Sequence, residues 1–278
     1  MMEEPTDSTQ SESHRPAPSP PLHPYSTLVD ISSTDRDFVV ELDRSNNVVI
    51  VTTRKEKFVF RERQHRIPSS AIAVEHLAQL RQRLHEEKSY RVERIAEEYV
   101  FTRMPYGSVH QSAGMAFALG LGSWGKDYSF WVFPDRVVEC NGNYYIADFA
   151  AGPRNFPDKM TIAIEICVTR AVNETKLADY QSLDDLKYIV IVNIGHFTYG
   201  TPSTPDISVR IYDNSAPNHL SPKRFDLKNC TSIGLCSYTF SAVKLYDGHQ
   251  VPAGTEDFVF DMYHLRQFVE LAIAGNSR

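Results

Sequence analysis

Two near-continuous apolar runs, Thr161-Ile-Ala-Ile-Glu-Ile-Cys-Val168 and Lys187-Tyr-Ile-Val-Ile-Val-Asn193, constrain this chain more than any other feature. Each has strand length and is apolar on both faces of a pleat, so each must be buried on both sides. Between them, a stretch opened by Asn173 reads as a helix to about Leu186. Strand, helix and strand in that order give a β–α–β unit and a mixed or parallel sheet. A single carboxylate, Glu165, stands inside the first run. An ionised carboxylate there costs several kcal/mol unless a cation or hydrogen bonds compensate. A metal ion is one compensator, and an arginine such as Arg170 is the structural alternative.

The rest of the chain fits an α/β reading. Strands are expected at Tyr90–Ile95, Glu98–Thr102, Tyr128–Phe133, Val137–Cys140, Tyr144–Phe149 and Asp206–Tyr212. A small apolar helix is expected from Val109 to about Leu119, stopped by Gly120 to Gly125. An amphipathic helix over Asp261–Ala274 closes the chain. Upstream, Met1 to Pro24 is rich in Pro, Ser and Glu and reads as a disordered tail over 1–24. Residues 25–89 read as a β-rich extension: a hairpin of Phe38–Leu42 and Val48–Thr53 around Arg44–Asn47, then a helix capped at Ser69 or Ser70 and running to about Lys88. The main domain is placed at 90–278.

Composition narrows the function classes. With 42% hydrophobic and 23% charged residues the chain is globular, and 11% aromatics suit a strand-rich core. A formal net charge of -6 counts against a protein that coats DNA through bulk electrostatics. It is compatible with an enzyme that touches DNA over a short basic patch and holds cations in an acidic pocket. The four cysteines form no CxxC pair and no zinc-finger spacing. No secretory signal and no run of ~20 apolar residues is present. The expectation is an intracellular protein of cytoplasm or nucleus, with no membrane partner and with reduced thiols.

Other acids could join Glu165. Asp135 follows Pro134 at the end of the aromatic strand, where proline ends ladder bonding and frees the carboxylate to leave the sheet edge. Asp158 stands in a second Pro-Asp step. Pro-Asp dipeptides are also common turn signals. Two carboxylates on neighbouring strands could share a Mg²⁺ (or Mn²⁺), which polarises a phosphate and activates water. Thiol chemistry at Cys167 lacks support, since neither a helix N-terminus nor an adjacent base is visible there.

The order of these features resembles the restriction endonuclease family of the PD-(D/E)xK phosphodiesterase (restriction endonuclease-like) superfamily. The resemblance rests on Tyr90-Arg-Val-Glu-Arg-Ile95 through His110, on Phe133-Pro-Asp135, and on Pro157-Asp158 followed by Ile162-Ala-Ile-Glu-Ile166, Asn173-Glu-Thr-Lys-Leu-Ala-Asp-Tyr180 and Tyr188-Ile-Val-Ile-Val192. It covers roughly Tyr90 to Tyr212. It implies a restriction endonuclease-like mixed central sheet flanked by helices, with an N-terminal β-rich extension, and a Mg²⁺-dependent DNA endonuclease. Asp135 and Glu165 would be metal ligands, with Glu93 an accessory acid of the metal site and His110 a catalytic neighbour; a cap or surface histidine is the alternative for His110.

One position departs from the family pattern. The motif lysine should stand two residues after Glu165, where this chain has Cys167, and a thiol cannot replace an ammonium. Lys176, early in the next helix, could reach back, with Tyr180 one turn further along the same face. Without that substitution the chain is a catalytically inactive nuclease fold that binds protein or nucleic acid. The implied partners are DNA, a second copy of the chain through the aromatic strand, and a protein partner at the N-terminal region.

Overall fold

A computed structural model describes residues 90–103, 108–168, 172–198, 205–216 and 221–275, together with short backbone strands between 27 and 68. The expected tail over 1–24, the Arg44–Asn47 and Met104–Gly107 turns, the helix from Ser69 or Ser70 to Lys88, and Arg170 lie outside the described residues. Upstream, β1 (Thr27–Val29), β2 (Phe38–Asp43), β3 (Val48–Thr53) and β4 (Lys57–Phe60) form an antiparallel sheet, with β2 and β3 paired as expected of the hairpin. The next strand, β5 (Gln64–Pro68), leaves that sheet and pairs with β7 (Glu98–Arg103) of the main one.

The main sheet is mixed. Its order is β13 (Lys223–Asp226), β12 (Ile207–Asp213), β11 (Tyr188–Ile194), β10 (Ile162–Val168), β9 (Asn143–Pro153), β6 (Tyr90–Ile95), β7 and β5, and β8 (Phe130–Cys140) pairs along the other edge of β9. The β10–β11 pair is parallel, as the β–α–β pattern requires, and the other pairings are antiparallel.

Alternation along β10 sorts the layers. Ile162, Ile164 and Ile166 face α1 (Ser108–Asp127) and the closing helix α4 (Met262–Gly275), together with Val190, Val192 and Val209. Ala163 faces the other way, into a core with Ile189, Ile191, Leu177 and Tyr180, the last two from helix α2 (Glu174–Gln181). Glu165 and Cys167 share the parity of Ala163, so Glu165 is aimed at α2. Between β12 and α4 lie α3 (Ala242–Leu245) and a two-stranded sheet of β14 (Ser237–Phe240) and β15 (Phe258–Asp261).

Several local readings change. Helix α1 runs through the expected glycine stop to Asp127. Its glycines serve close packing: a Cβ on Gly125 would lie 2.6 Å from the Phe130 carbonyl oxygen, so only glycine lets the helix meet β8 there. Helix α2 is shorter than expected. Asn173 caps it by accepting from the Thr175 and Lys176 N–H groups, and Ser182 ends it. The two strands expected on either side of Pro134 are one strand, because an edge strand needs no N–H on its free side. Finally, Cys230 and Cys236 are joined in a disulfide with a Cα–Cα distance of 5.4 Å, against the expectation of reduced thiols; Cys140 and Cys167 are free. The bond links cysteines six positions apart in the chain. No helix among the described residues is long and apolar enough to cross a membrane.

Candidate active site

Strand β9 creates the site by having two different neighbours on one edge. Its C-terminal half pairs with β10 at Phe149, Ala150 and Ala151, while its N-terminal half touches β6 at Tyr144. Between these contacts β6 and β10 diverge, and the backbone loses ladder partners. Side chains take their place. Asp148 Oδ2 accepts the Ile166 N–H at 2.6 Å, and Glu93 Oε1 accepts the Ile146 N–H at 3.0 Å. The Ile146 carbonyl accepts from Lys176 Nζ at 2.8 Å. The fork is thus held open by charged side chains, since buried backbone groups must find partners.

The same rung carries a second irregularity. Along β8 and β9 the register is continuous, and Asp135 and Asp148 oppose each other at the step between the Pro134–Phe149 and Arg136–Ala147 pairs. Before that step Phe130, Val132, Phe149 and Ala151 face α1; beyond it Val138, Tyr145 and Ala147 face α2. Both strands therefore change phase at this rung, where Asp135 takes a left-handed φ of 49°. Two like charges opposed across a pair of strands repel. Arg91 bridges them, with one guanidinium nitrogen 2.7 Å from Asp135 Oδ1 and the other 2.6 Å from Asp148 Oδ1.

A second cation sits on the α2 side. Lys176 Nζ lies 2.8 Å from Glu93 Oε1 and 3.0 Å from Glu165 Oε2, and all three side chains are buried. Tyr180 Oη donates to the other Glu165 oxygen at 2.9 Å. His110, at the start of α1, places Nε2 3.2 Å from Asp148 Oδ1. Helix α2 is itself anchored: the Asp179 carboxylate accepts from Asn141, Asn143 and Tyr145 of the β8–β9 hairpin.

Electrostatics separates the acids. Burial opposes the charge of Glu93, but Lys176 and Arg91 outweigh it and hold its pKa below the ordinary value. Asp148 is likewise held well below the usual carboxylate range, with burial outweighed by Arg91 and His110. Glu165 goes the other way. Burial, only partly offset by Lys176 and reinforced by the Asp148 and Glu93 charges, pushes it from 4.5 up to about 7. Lys176 is raised above the ordinary lysine value because its acids overcome the burial cost. Burial, with Glu165 next, pushes the Cys167 thiol up to about 12, which removes it as a nucleophile at neutral pH.

A pH dependence of stability follows for Glu165. Its folded-state pKa lies above the ordinary value, so its favourable contribution is complete below about 4.5 and is lost as pH rises through about 7. Relative to the neutral mimic Glu165→Gln, the wild type is expected to lose about 2–3 kcal/mol over that window. Urea unfolding of both proteins at about pH 5 and about pH 8 checks this, and a constant difference would contradict it.

Of the residues read from the sequence, Glu93, Glu165, Lys176 and His110 meet around the fork, and Asp135 reaches it through Arg91. Three contributors escaped the reading: Arg91, Asp148 and Asp179. Asp148 carried a usable signal, because in Tyr144-Tyr-Ile-Ala-Asp-Phe149 it is a lone acid inside an apolar strand, as Glu165 is.

Fold and site together define a mixed α/β protein with a buried acid–cation cluster at a fork in its sheet. No family profile matches the chain, and no curated protein matches it. Among solved structures, it is similar to a protein from Anabaena variabilis described as a "putative nuclease belonging to DUF820", with a TM-score of 0.43 and 10% identity over 64% of this chain and 91% of that one.

Proposed function

We propose that this protein is a Mg²⁺- or Mn²⁺-dependent phosphodiesterase that cleaves DNA. One observation carries the reading: the Lys176 ammonium stands 3.0 Å from Glu165 Oε2, beside the peptide that Asp148 holds. The cation missing at Cys167 is supplied from α2, and two acids and a lysine occupy one fork. The donor set fits a divalent ion in one respect. Four carboxylates, Glu93, Asp135, Asp148 and Glu165, face two permanent cations, Arg91 and Lys176, and the surplus negative charge contributes to raising Glu165. It does not fit a larger ligand set: among the described residues no three of His, Cys, Asp or Glu converge on one point, because Lys176 stands between Glu93 and Glu165.

Asp148 and Glu165 would hold the metal, which when bound polarises a phosphate and lowers the pKa of water. The chain's own groups do the rest. Lys176 keeps its proton, since Glu165 and Glu93 hold its pKa high, and acts as a fixed cation for charge building on the phosphate oxygens. His110 and Arg91 orient the Asp148 carboxylate.

Plasmid cleavage with each metal tests the reading. Asp148→Asn and Glu165→Gln keep shape and remove charge, and each is expected to lose on the order of 10²–10³-fold in rate. Intact DNA with folded wild type in both metals, or unchanged rates in both variants, would remove these residues from any such mechanism.

A second reading has its own observation. The three N–H groups of Lys176 are all engaged, by Glu93, Glu165 and the Ile146 carbonyl, so none points to a substrate. On that reading the cluster is structural and the protein is a binding module. Calorimetry with Mn²⁺ separates the two: affinity that disappears in Glu165→Gln supports the enzyme, and absence of affinity supports the module.

A further inference from the structure

The α2-facing side of edge strand β8 carries a patch that the acid–cation cluster does not use. Trp131 and Phe133 lie two residues apart on the pleat, their ring centroids 5.9 Å apart, and Trp131 is 41% exposed. A guanidinium attends each ring. The Arg154 Cζ is 5.1 Å from the Trp131 centroid, and the Arg136 Cζ is 5.2 Å from that of Phe133. Among the described residues neither arginine has a carboxylate partner; Arg136 donates to the Pro157 carbonyl at 3.0 Å. Exposed Trp131 and half-buried Phe133 thus each have a guanidinium for company, on a chain of net charge -6.

Placement ties the patch to the fork. Phe133 pairs with Ala150, which pairs with Ala163, and the next row along the register contains Asp135, Asp148 and Glu165. We infer that Trp131, Phe133, Arg136 and Arg154 form a stacking platform for an unpaired DNA strand, which would deliver its backbone towards the fork. This deepens the DNA-cleavage reading and takes its direction from it. Bases stack on aromatic rings whatever their sequence, and guanidinium groups engage the phosphates between them. A second copy of the chain fits less well. Edge-to-edge pairing needs a regular free edge, and Pro134 with left-handed Asp135 interrupts this one.

Binding is measured without divalent metal, so that cleavage plays no part. The full chain, in EDTA, is titrated with oligothymidine of about 12 nucleotides, within the span such grooves cover. Fluorescence anisotropy of the end-labelled oligonucleotide reports the event in every variant, including Trp131→Ala, and quenching of Trp131 is a second signal in the wild type, with Trp124 on the opposite face of β8 against Phe130 and the Glu256 carbonyl. Quenching is expected, with affinity weakened on the order of ten-fold or more in Trp131→Ala and in Arg154→Gln, and with blunt duplex of the same length binding more weakly. Equal affinity in wild type and both variants, equal affinity for duplex, or a dimer that Trp131→Ala dissociates without any DNA binding would overturn the inference. Its fate is separable from that of the catalytic reading. Binding with no cleavage in any metal leaves the platform and removes the enzyme; cleavage unaffected by Trp131→Ala does the reverse.

Discussion

Replacing Lys176 with methionine is expected to destabilise the fold by about 3–5 kcal/mol, because it leaves Glu93 and Glu165 buried and without their shared cation. The loss is one of pairing, since the methionine keeps most of the apolar stem. Removing the stranded charges should restore most of the stability. The triple variant Glu93→Gln, Glu165→Gln, Lys176→Met is expected to lie within about 1–2 kcal/mol of wild type, as neutral replacements of buried ion clusters often do. Urea unfolding with a common m-value measures both effects. If the single variant unfolds at the wild-type denaturant midpoint, Lys176 does not hold the two acids together.

The triple variant also bears on what the cluster is for. A cluster that can be neutralised with little loss of stability is not required by the fold. On the enzyme reading the variant should lack DNA cleavage entirely while remaining folded. The activity of that folded variant is the deciding measurement: DNA cleavage that survives in it removes the cluster from the mechanism.

The sheet was legible in the sequence because its central strands are buried on both faces. The apolar runs at Ile162–Val168 and Tyr188–Ile194 left no other placement, and the helix between them forced their parallel pairing. Glu165 stood out for the same reason: a carboxylate in such a run needs a partner. What escaped notice depended on pairing rather than composition. The phase change at Asp135 and Asp148 arises from the register of two strands, and a proline within the first of them reads locally as a break. Asp148 is an acid in a strand less uniformly apolar than β10, so its burial was not evident. Arg91 sits in the alternating Tyr90–Ile95 strand, where a charged residue reads as solvent-facing, yet its guanidinium is drawn in by acids 44 and 57 positions away in the chain. Long-range charge partners leave no local trace.

Arg91 is where the two candidate aspartates can be told apart. Arg91→Met is expected to cost about 3–5 kcal/mol, nearly all of it through Asp148, which is left buried and charged beside Glu165. Asp135 has a side chain 30% exposed and can recover water when its partner is lost. A double-mutant cycle makes this quantitative: coupling of Arg91 to Asp148, measured with Asp148→Asn, should be several-fold larger than coupling to Asp135, measured with Asp135→Asn and expected at or below about 1 kcal/mol. The same ordering should hold for cleavage. Asp148→Asn removes an acid that holds the peptide next to Glu165, whereas Asp135→Asn removes a group that reaches the fork only through Arg91. Equal couplings, or a larger loss of activity in Asp135→Asn, would return the metal-binding role to the Pro-Asp step and make Asp148 the structural acid of the pair.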